Sequence, residues 1–141
     1  MMPRPVAAIV LLAAAAAASR VAAAEKPPAL YQSAQAAAGA KVYAANCAGC
    51  HGMRLEGSAG PALAGPKMRT RAKDMHLLVG DTFSVIARHM PLDEPASLSR
   101  GEYVEIMAYV LKANGYPGGP SALTYDGAMR SKATMTSYAG E

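Results

Sequence analysis

This sequence contains few aromatic residues and few cysteines. Tryptophan is absent, phenylalanine occurs once, and aromatic residues make up 6% of the chain, although 52% of it is hydrophobic and largely alanine. The 141 residues suffice for one domain and exclude two of ordinary size. A small domain with so little aromatic surface has a thin core and often relies on a disulfide, a metal or a cofactor. We therefore expect one site that holds a large buried group.

Strand patterns and internal repeats are also absent, which excludes a sheet or a repeat architecture. The apolar residues recur at helical spacing instead and predict an all-α domain of about three to five helices. One helix is expected from Ser33 to about Ala45, with Ser33 as its N-cap. Another is expected from Asp81 to His89, with Asp81 as its cap, and it must stop before Pro91.

The clearest helix follows Ser99. Ser99 and Glu102 have the spacing of a capping box, and apolar residues recur from Tyr103 at i, i+3, i+4, i+7 and i+8. Asn114-Gly115 then supplies the stop. By contrast, the glycine and proline residues between Gly52 and Lys73 predict a long loop. Residues 118–141 are expected to form a C-terminal extension packed on the surface.

The N-terminal segment has the order of a secretory signal peptide. Arg4 precedes an unbroken apolar run over residues 6–18, and small residues end at Ala24, before the charged Glu25. The run is short and rich in alanine, whereas a membrane-spanning helix needs about 20 strongly apolar residues. We expect residues 1–24 to be cleaved, which leaves a periplasmic domain of residues 25–141.

The charge of the mature chain is small. Removal of Arg4 and Arg20 lowers the formal net charge from +4 to +2. This balance does not favour nucleic acid as a partner.

The residues that carry chemistry are Cys47-Ala48-Gly49-Cys50-His51. Two thiols at this spacing can form thioethers with the two vinyl groups of a haem, and the imidazole that follows is placed to bind the iron. The small residues between the thiols leave the porphyrin edge unobstructed. The pentapeptide therefore predicts covalent haem attachment through Cys47 and Cys50, with His51 as an iron ligand.

Three other interpretations of this pentapeptide remain. A thioredoxin-like redox pair requires a βαβ context, and a zinc site requires two more ligands at suitable spacing. Neither is visible, because His76 and His89 are isolated from the pair. A structural disulfide between Cys47 and Cys50 is chemically possible in an oxidising compartment, but it leaves His51 and the thin core unexplained.

Together with its surroundings the pentapeptide resembles that of a class I cytochrome c. The resemblance covers about residues 33–117. It rests on Gly39-Ala40-Lys41-Val42-Tyr43, Asn46 to Gly52, Gly60-Pro61-Ala62-Leu63, Met90-Pro91 and Tyr109 to Pro117. The Asn114-Gly115-Tyr116-Pro117 ending is similar in style to bacterial cytochromes that serve dehydrogenases dependent on pyrroloquinoline quinone.

The resemblance implies a one-electron carrier with one covalent haem c. It also implies that the Pro61 carbonyl orients the His51 ring, and that Gly39 and Tyr43 pack against the last helix at Ile106 and Tyr109. The expected partners are a quinoprotein dehydrogenase of that class as donor and a terminal oxidase or another cytochrome as acceptor. The alternatives are a cytochrome subunit of a dehydrogenase or oxidase complex, and a five-coordinate haem enzyme or gas sensor.

The second axial ligand has several candidates. Sulfur or imidazole can bind the iron, and the candidates in the sequence are Met53, Met68, Met75, Met90, Met107, His76 and His89. Met53 is too near His51 in the sequence to reach the opposite face of the haem. Met107 lies on an apolar helical stripe that favours a core role. Met90 matches the ligand position of the resembled family, with His89 as its rival. Met68 and Met75 are interpreted as loop fillers.

A basic stretch adds one open question. Lys67, Arg69, Arg71 and Lys73 lie within seven residues. They can contact the haem propionates or an acidic partner, or they can form a solvated face, which is the commoner use of a charge run.

Overall fold

The computed structural model describes residues 1–2 and 26–139, so the signal peptide prediction falls mostly outside the described residues. The described part is helical and contains no β-strand. The helices are α1 (Ser33–Asn46), α2 (Ala48–His51), α3 (Gly65–Asp74), α4 (Val79–His89), α5 (Arg100–Ala113) and α6 (Tyr125–Met129). The all-α prediction is confirmed. Within these residues no helix is both long and apolar enough to cross a membrane.

Helices α1 and α5 cross at the centre of the fold. A Cβ at Gly39 would overlap the carbonyl oxygen of Glu105 and approach the amide nitrogen of Ile106. The rings of Tyr43 and Tyr109 pack with their centroids 5.3 Å apart. Only glycine permits such a close approach of two helix backbones. The expected contact of Gly39 and Tyr43 with Ile106 and Tyr109 is therefore confirmed.

Helix α5 begins and ends where the sequence predicts. Ser99 Oγ accepts from the Glu102 N–H at 3.2 Å, and the Glu102 carboxylate accepts from the Ser99 N–H at 2.8 Å. Asn114 is the C-cap, and Gly115 follows with a φ of +83°. The capping box and the glycine stop are both confirmed.

The other two predicted caps are wrong, although their helices are present. Ser33 is the first residue of α1, and the Gln35 side chain accepts from the Gln32 N–H at 3.1 Å. Asp81 lies in the first turn of α4, where its carboxylate accepts from the Leu78 N–H at 3.0 Å. In both helices the capping side chain reaches back from inside the helix instead of preceding it.

The predicted loop from Gly52 to Lys73 is wrong in its second half, where α3 forms. Pro66 lies in the first turn, a position at which its missing N–H costs no helical hydrogen bond. Met68 and Ala72, four residues apart, are the buried residues of this helix. Because only one narrow stripe is apolar, the helix does not stand out in the sequence.

The C-terminal extension packs on the surface of the fold and also contributes to its core. The Met135 N–H donates to the Leu77 carbonyl at 2.8 Å, and the Val79 N–H donates to the Ala133 carbonyl at 2.9 Å. The Met135 side chain is fully buried. The segment therefore clasps the start of α4 and contributes to the core.

Candidate functional site

The two thiols and the imidazole lie on one helical turn. Cys47 is the N-cap of α2, and its carbonyl accepts from the N–H groups of Cys50 at 3.2 Å and His51 at 2.9 Å. Residues at i, i+3 and i+4 of a helical turn share one face. Cys47 is partly buried and Cys50 is exposed, and both are free thiols. The turn thus presents two sulfur atoms and one imidazole together.

The His51 imidazole is held in one orientation. Its side chain is buried, and Nδ1 lies 2.8 Å from the Pro61 carbonyl oxygen. A carbonyl can only accept, so this contact requires the proton on Nδ1. Nε2 is then left with a free lone pair, which is the arrangement of a metal-ligating histidine with an orienting partner.

Gly60 brings the backbone against this ring. A Cβ at Gly60 would lie 2.8 Å from Cε1 and 2.9 Å from Nδ1 of His51. The Gly60 N–H donates to the Cys50 carbonyl at 2.8 Å, and the Gly57 N–H donates to the His51 carbonyl at 2.8 Å. The loop therefore folds back onto the turn that it follows. The sequence pattern predicts the contact of Pro61, but not the requirement for glycine before it.

Tyr43 connects the turn to α1. Its buried hydroxyl donates to the Gly52 carbonyl at 2.7 Å, directly after His51. Burial, together with the nearby Cys47 thiol, raises the pKa of Tyr43 well above its ordinary value, so the hydroxyl stays protonated and remains a donor. From the sequence, Tyr43 was expected only to pack against the last helix.

Asn114 holds the other end of the loop, although its place in the sequence indicates only a helix stop. Its side-chain amide donates to the carbonyls of Leu63 at 2.8 Å and Val110 at 2.9 Å. Because Leu63 follows Pro61 by two residues, this bond ties the His51 loop to the end of α5. The Asn114 side chain is fully buried.

Two competing interpretations of the cysteine pair, a redox pair and a zinc site, find little support. Burial raises the pKa of the Cys47 thiol, and the Cys50 thiol beside it adds to the rise. A redox-active Cys-X-X-Cys pair needs the opposite shift, because the thiolate is the reactive form. No group of three or more His, Cys, Asp or Glu residues that could hold a metal ion occurs in the described ranges.

Met90 is placed at the end of α4 in a loop fastened to α5. It is the C-cap of α4, and its side chain is partly buried. Its carbonyl accepts from the Tyr103 hydroxyl at 2.6 Å. The rival His89 is exposed at the last position of the same helix.

The remaining ligand candidates divide into buried and exposed side chains. Met68 and Met107 are fully buried in the core, where Met107 fulfils its predicted role. Met68 belongs to α3, so its interpretation as a loop filler is wrong. Met75 is the C-cap of α3 and is exposed. Because an exposed side chain fills no space in the fold, its interpretation as a loop filler is also wrong. Met53 and His76 are also exposed.

The basic stretch is divided between structural and exposed residues. Arg69 donates to the carbonyls of Ser137 at 2.6 Å and Ala139 at 2.7 Å, so it anchors the C-terminal segment. Arg71 lies with Nη2 2.9 Å from Met68 Sδ, and burial lowers the pKa of Arg71. Lys67 and Lys73 are exposed on α3.

Residues 34–110 match the family model described as cytochrome c oxidase, cbb3-type, subunit III. The chain belongs to this cytochrome c family. It is also similar to a chain in the crystal structure of the sulfane dehydrogenase SoxCD from Paracoccus pantotrophus, with a TM-score of 0.54 and 25% identity over 67% of this chain. The cytochrome spans 50% of that chain. No curated protein matches it.

Membership of the cytochrome c family implies a covalently bound c-type haem and haem-based electron transfer. The residues described above fit this group: two free thiols lie one turn apart, and a buried imidazole beside them has its Nε2 free. This donor set supplies two thioether bonds and one axial nitrogen. The predicted family and cofactor are confirmed.

Proposed function

We propose that the cytochrome is a periplasmic one-electron carrier in which Cys47 and Cys50 attach the haem and His51 and Met90 bind its iron. The observation that carries this proposal is the buried His51 ring, whose Nδ1 lies 2.8 Å from the Pro61 carbonyl, one turn from two free thiols. When bound, the haem supplies an iron that alternates between ferrous and ferric states.

Each protein group then has a separate task. The thioethers of Cys47 and Cys50 retain the cofactor during partner exchange. The Pro61 carbonyl fixes the orientation of the His51 ring and makes its Nε2 a stronger ligand for the iron. The neutral thioether of Met90 favours ferrous iron and raises the reduction potential relative to a second imidazole.

The periplasmic location is supported by the signal peptide pattern of residues 1–24. Exported protein is expected to begin at Glu25. A mature chain that begins at Met1, or one firmly held in the membrane fraction, would contradict this location.

Spectroscopy of the purified cytochrome tests the carrier proposal. A carrier with both axial positions filled is expected to be six-coordinate and low-spin in both redox states and to bind no carbon monoxide. A high-spin ferrous form that binds carbon monoxide would instead support the enzyme or gas-sensor alternative, which requires an open iron position.

A second candidate function is that of a cytochrome subunit within a dehydrogenase complex. The likeness to a chain of the sulfane dehydrogenase favours it. The proposed donor is a quinoprotein dehydrogenase, and the proposed acceptor is a terminal oxidase or another cytochrome. Co-purification followed by mass spectrometry distinguishes the two functions, because a subunit retains a stoichiometric partner and a free carrier does not.

A further inference from the structure

The loop that carries Met90, residues 90–98, has little packing of its own. Residues 92–97 are exposed, and the internal bonds of the loop are short-range. The Ala96 N–H donates to the Met90 carbonyl at 3.3 Å, and the Glu94 N–H donates to the Pro91 carbonyl at 3.2 Å. A segment with few buried contacts opens more easily than the core. Its position must therefore be set from outside.

A single buried hydroxyl meets both ends of this loop. Tyr103 is 3% exposed. Its hydroxyl donates to the Met90 carbonyl at 2.6 Å and accepts from the Leu98 N–H at 3.3 Å. Among the described residues, no other side chain forms a hydrogen bond with residues 90–98. The ring belongs to α5, which packs across α1 in the centre of the fold.

We propose that Tyr103 is a positioning residue for the Met90 ligand. Its hydroxyl closes the loop of residues 90–98 onto α5 and so limits the release of the Met90 thioether from the iron. This inference rests on the proposed function, because it requires Met90 to bind the iron.

The proposal depends on the free energy needed to open the loop of residues 90–98 locally. Displacement of Met90 by an external ligand requires the loop to swing away from α5, and this movement breaks both bonds of the Tyr103 hydroxyl. A buried tyrosine hydroxyl that bonds to the backbone adds to the free energy of such a local opening. Removal of the hydroxyl with the ring retained should ease the opening without disturbing the core.

Tyr116 offers a closely matched control. It is also buried, its hydroxyl donates to the Thr134 carbonyl at 2.6 Å, and it accepts from the Thr136 N–H at 3.1 Å. These bonds hold the C-terminal segment and make no contact with residues 90–98. Tyr116→Phe therefore removes the same kind of bond at a different place.

The test is a titration of the ferric holoprotein with imidazole at neutral pH. Imidazole binding is measured by the loss of the weak far-red sulfur-to-iron absorption. Tyr103→Phe should bind imidazole about fivefold to tenfold more tightly than the wild type, a factor at the low end for two lost hydrogen bonds because the bond from the Leu98 N–H is long, at 3.3 Å. Tyr116→Phe should bind imidazole like the wild type, although urea unfolding followed by circular dichroism shows a lowered midpoint.

Two outcomes overturn the proposal while the proposed ligation stands: an unchanged imidazole affinity of Tyr103→Phe, or an equal shift in both variants. A different outcome overturns the ligand assignment as well. If the wild type lacks the sulfur-to-iron absorption, or Met90→Ala retains it, Met90 is not the ligand that Tyr103 positions.

Discussion

The His51 segment, residues 47–61, and the Met90 loop, residues 90–98, are built in different ways. The His51 segment is closed mainly by bonds among its own residues, including Gly60 N–H to the Cys50 carbonyl and His51 Nδ1 to the Pro61 carbonyl. The Met90 loop is held by a hydroxyl from another helix. A short segment therefore encodes one side of the site, whereas the whole fold determines the other.

This difference gives the two segments different sensitivities. A change within residues 47–61 acts directly on attachment and on the His51 ring. A change in another helix can reach Met90 where a side chain of that helix bonds to the loop, as the Tyr103 hydroxyl of α5 does. The following predictions test that contrast, from the largest expected effect to the smallest.

Replacement of Met107 should weaken the fold without altering ligation, and replacement of Met90 should do the reverse. Met107 is fully buried in α5. Met107→Ala is expected to cost about 2–5 kcal/mol in the free energy of unfolding, the range for such truncations in a core. Urea unfolding followed by circular dichroism measures the change.

Met90→Ala is the matched ligand variant. It should lose the sulfur-to-iron absorption, lower the reduction potential and gain carbon monoxide binding in the ferrous form, while the thioethers still hold the haem. The assignment is wrong if Met90→Ala remains six-coordinate while His89→Ala or Met68→Ala loses a ligand.

Gly60→Ala should damage the His51 segment specifically. The added Cβ would lie 2.8 Å from the imidazole, and overpacking of this kind costs about 1–3 kcal/mol. The ring should tilt away from the Pro61 carbonyl, with a lower yield of low-spin holoprotein as the measured result. Gly101→Ala is the control, since the nearest atom to a Cβ there is Ser99 Oγ at 3.9 Å and the residue lies outside the His51 segment. Equal yields from the two variants would remove the steric role assigned to Gly60.

A smaller effect on the free energy of unfolding is expected at alkaline pH, through the ionisation of Tyr116. Burial raises the pKa of Tyr116 from 10.0 to about 12, so the folded state favours the protonated phenol. The resulting stabilisation is complete below pH 10 and is lost as the pH rises towards 12. Tyr116→Phe should show a smaller fall in the free energy of unfolding between pH 9 and 11. Parallel curves for the two proteins would contradict this assignment.

The contrast between the two segments also explains what the sequence could and could not predict. The pentapeptide, the Pro61 contact and the capping box of α5 are local patterns, so residue types and spacing suffice to identify them. Tyr103 could not be identified in this way, because its bond to Met90 exists only after α5 packs beside the loop. Its apolar spacing marked it only as a core residue.

Helix α3 was not predicted, and the C-terminal segment was predicted only as a surface extension, for related reasons. The α3 sequence is highly charged and begins with Gly65-Pro66, a pair that usually indicates a turn. Its helical form is stabilised by burial of Met68 and Ala72. The C-terminal segment has weak periodicity, and hydrogen bonds to its backbone hold much of it, such as those that the Arg69 side chain donates to the carbonyls of Ser137 and Ala139.

The most direct test of the account is the mass of the denatured mature chain. Covalent attachment through Cys47 and Cys50 predicts the mass of a polypeptide that begins at Glu25 plus one haem, retained after extraction with acid and organic solvent. Cys47→Ala and Cys50→Ala should each yield little or no such species. A denatured wild-type chain that weighs only its polypeptide mass would contradict the central claim.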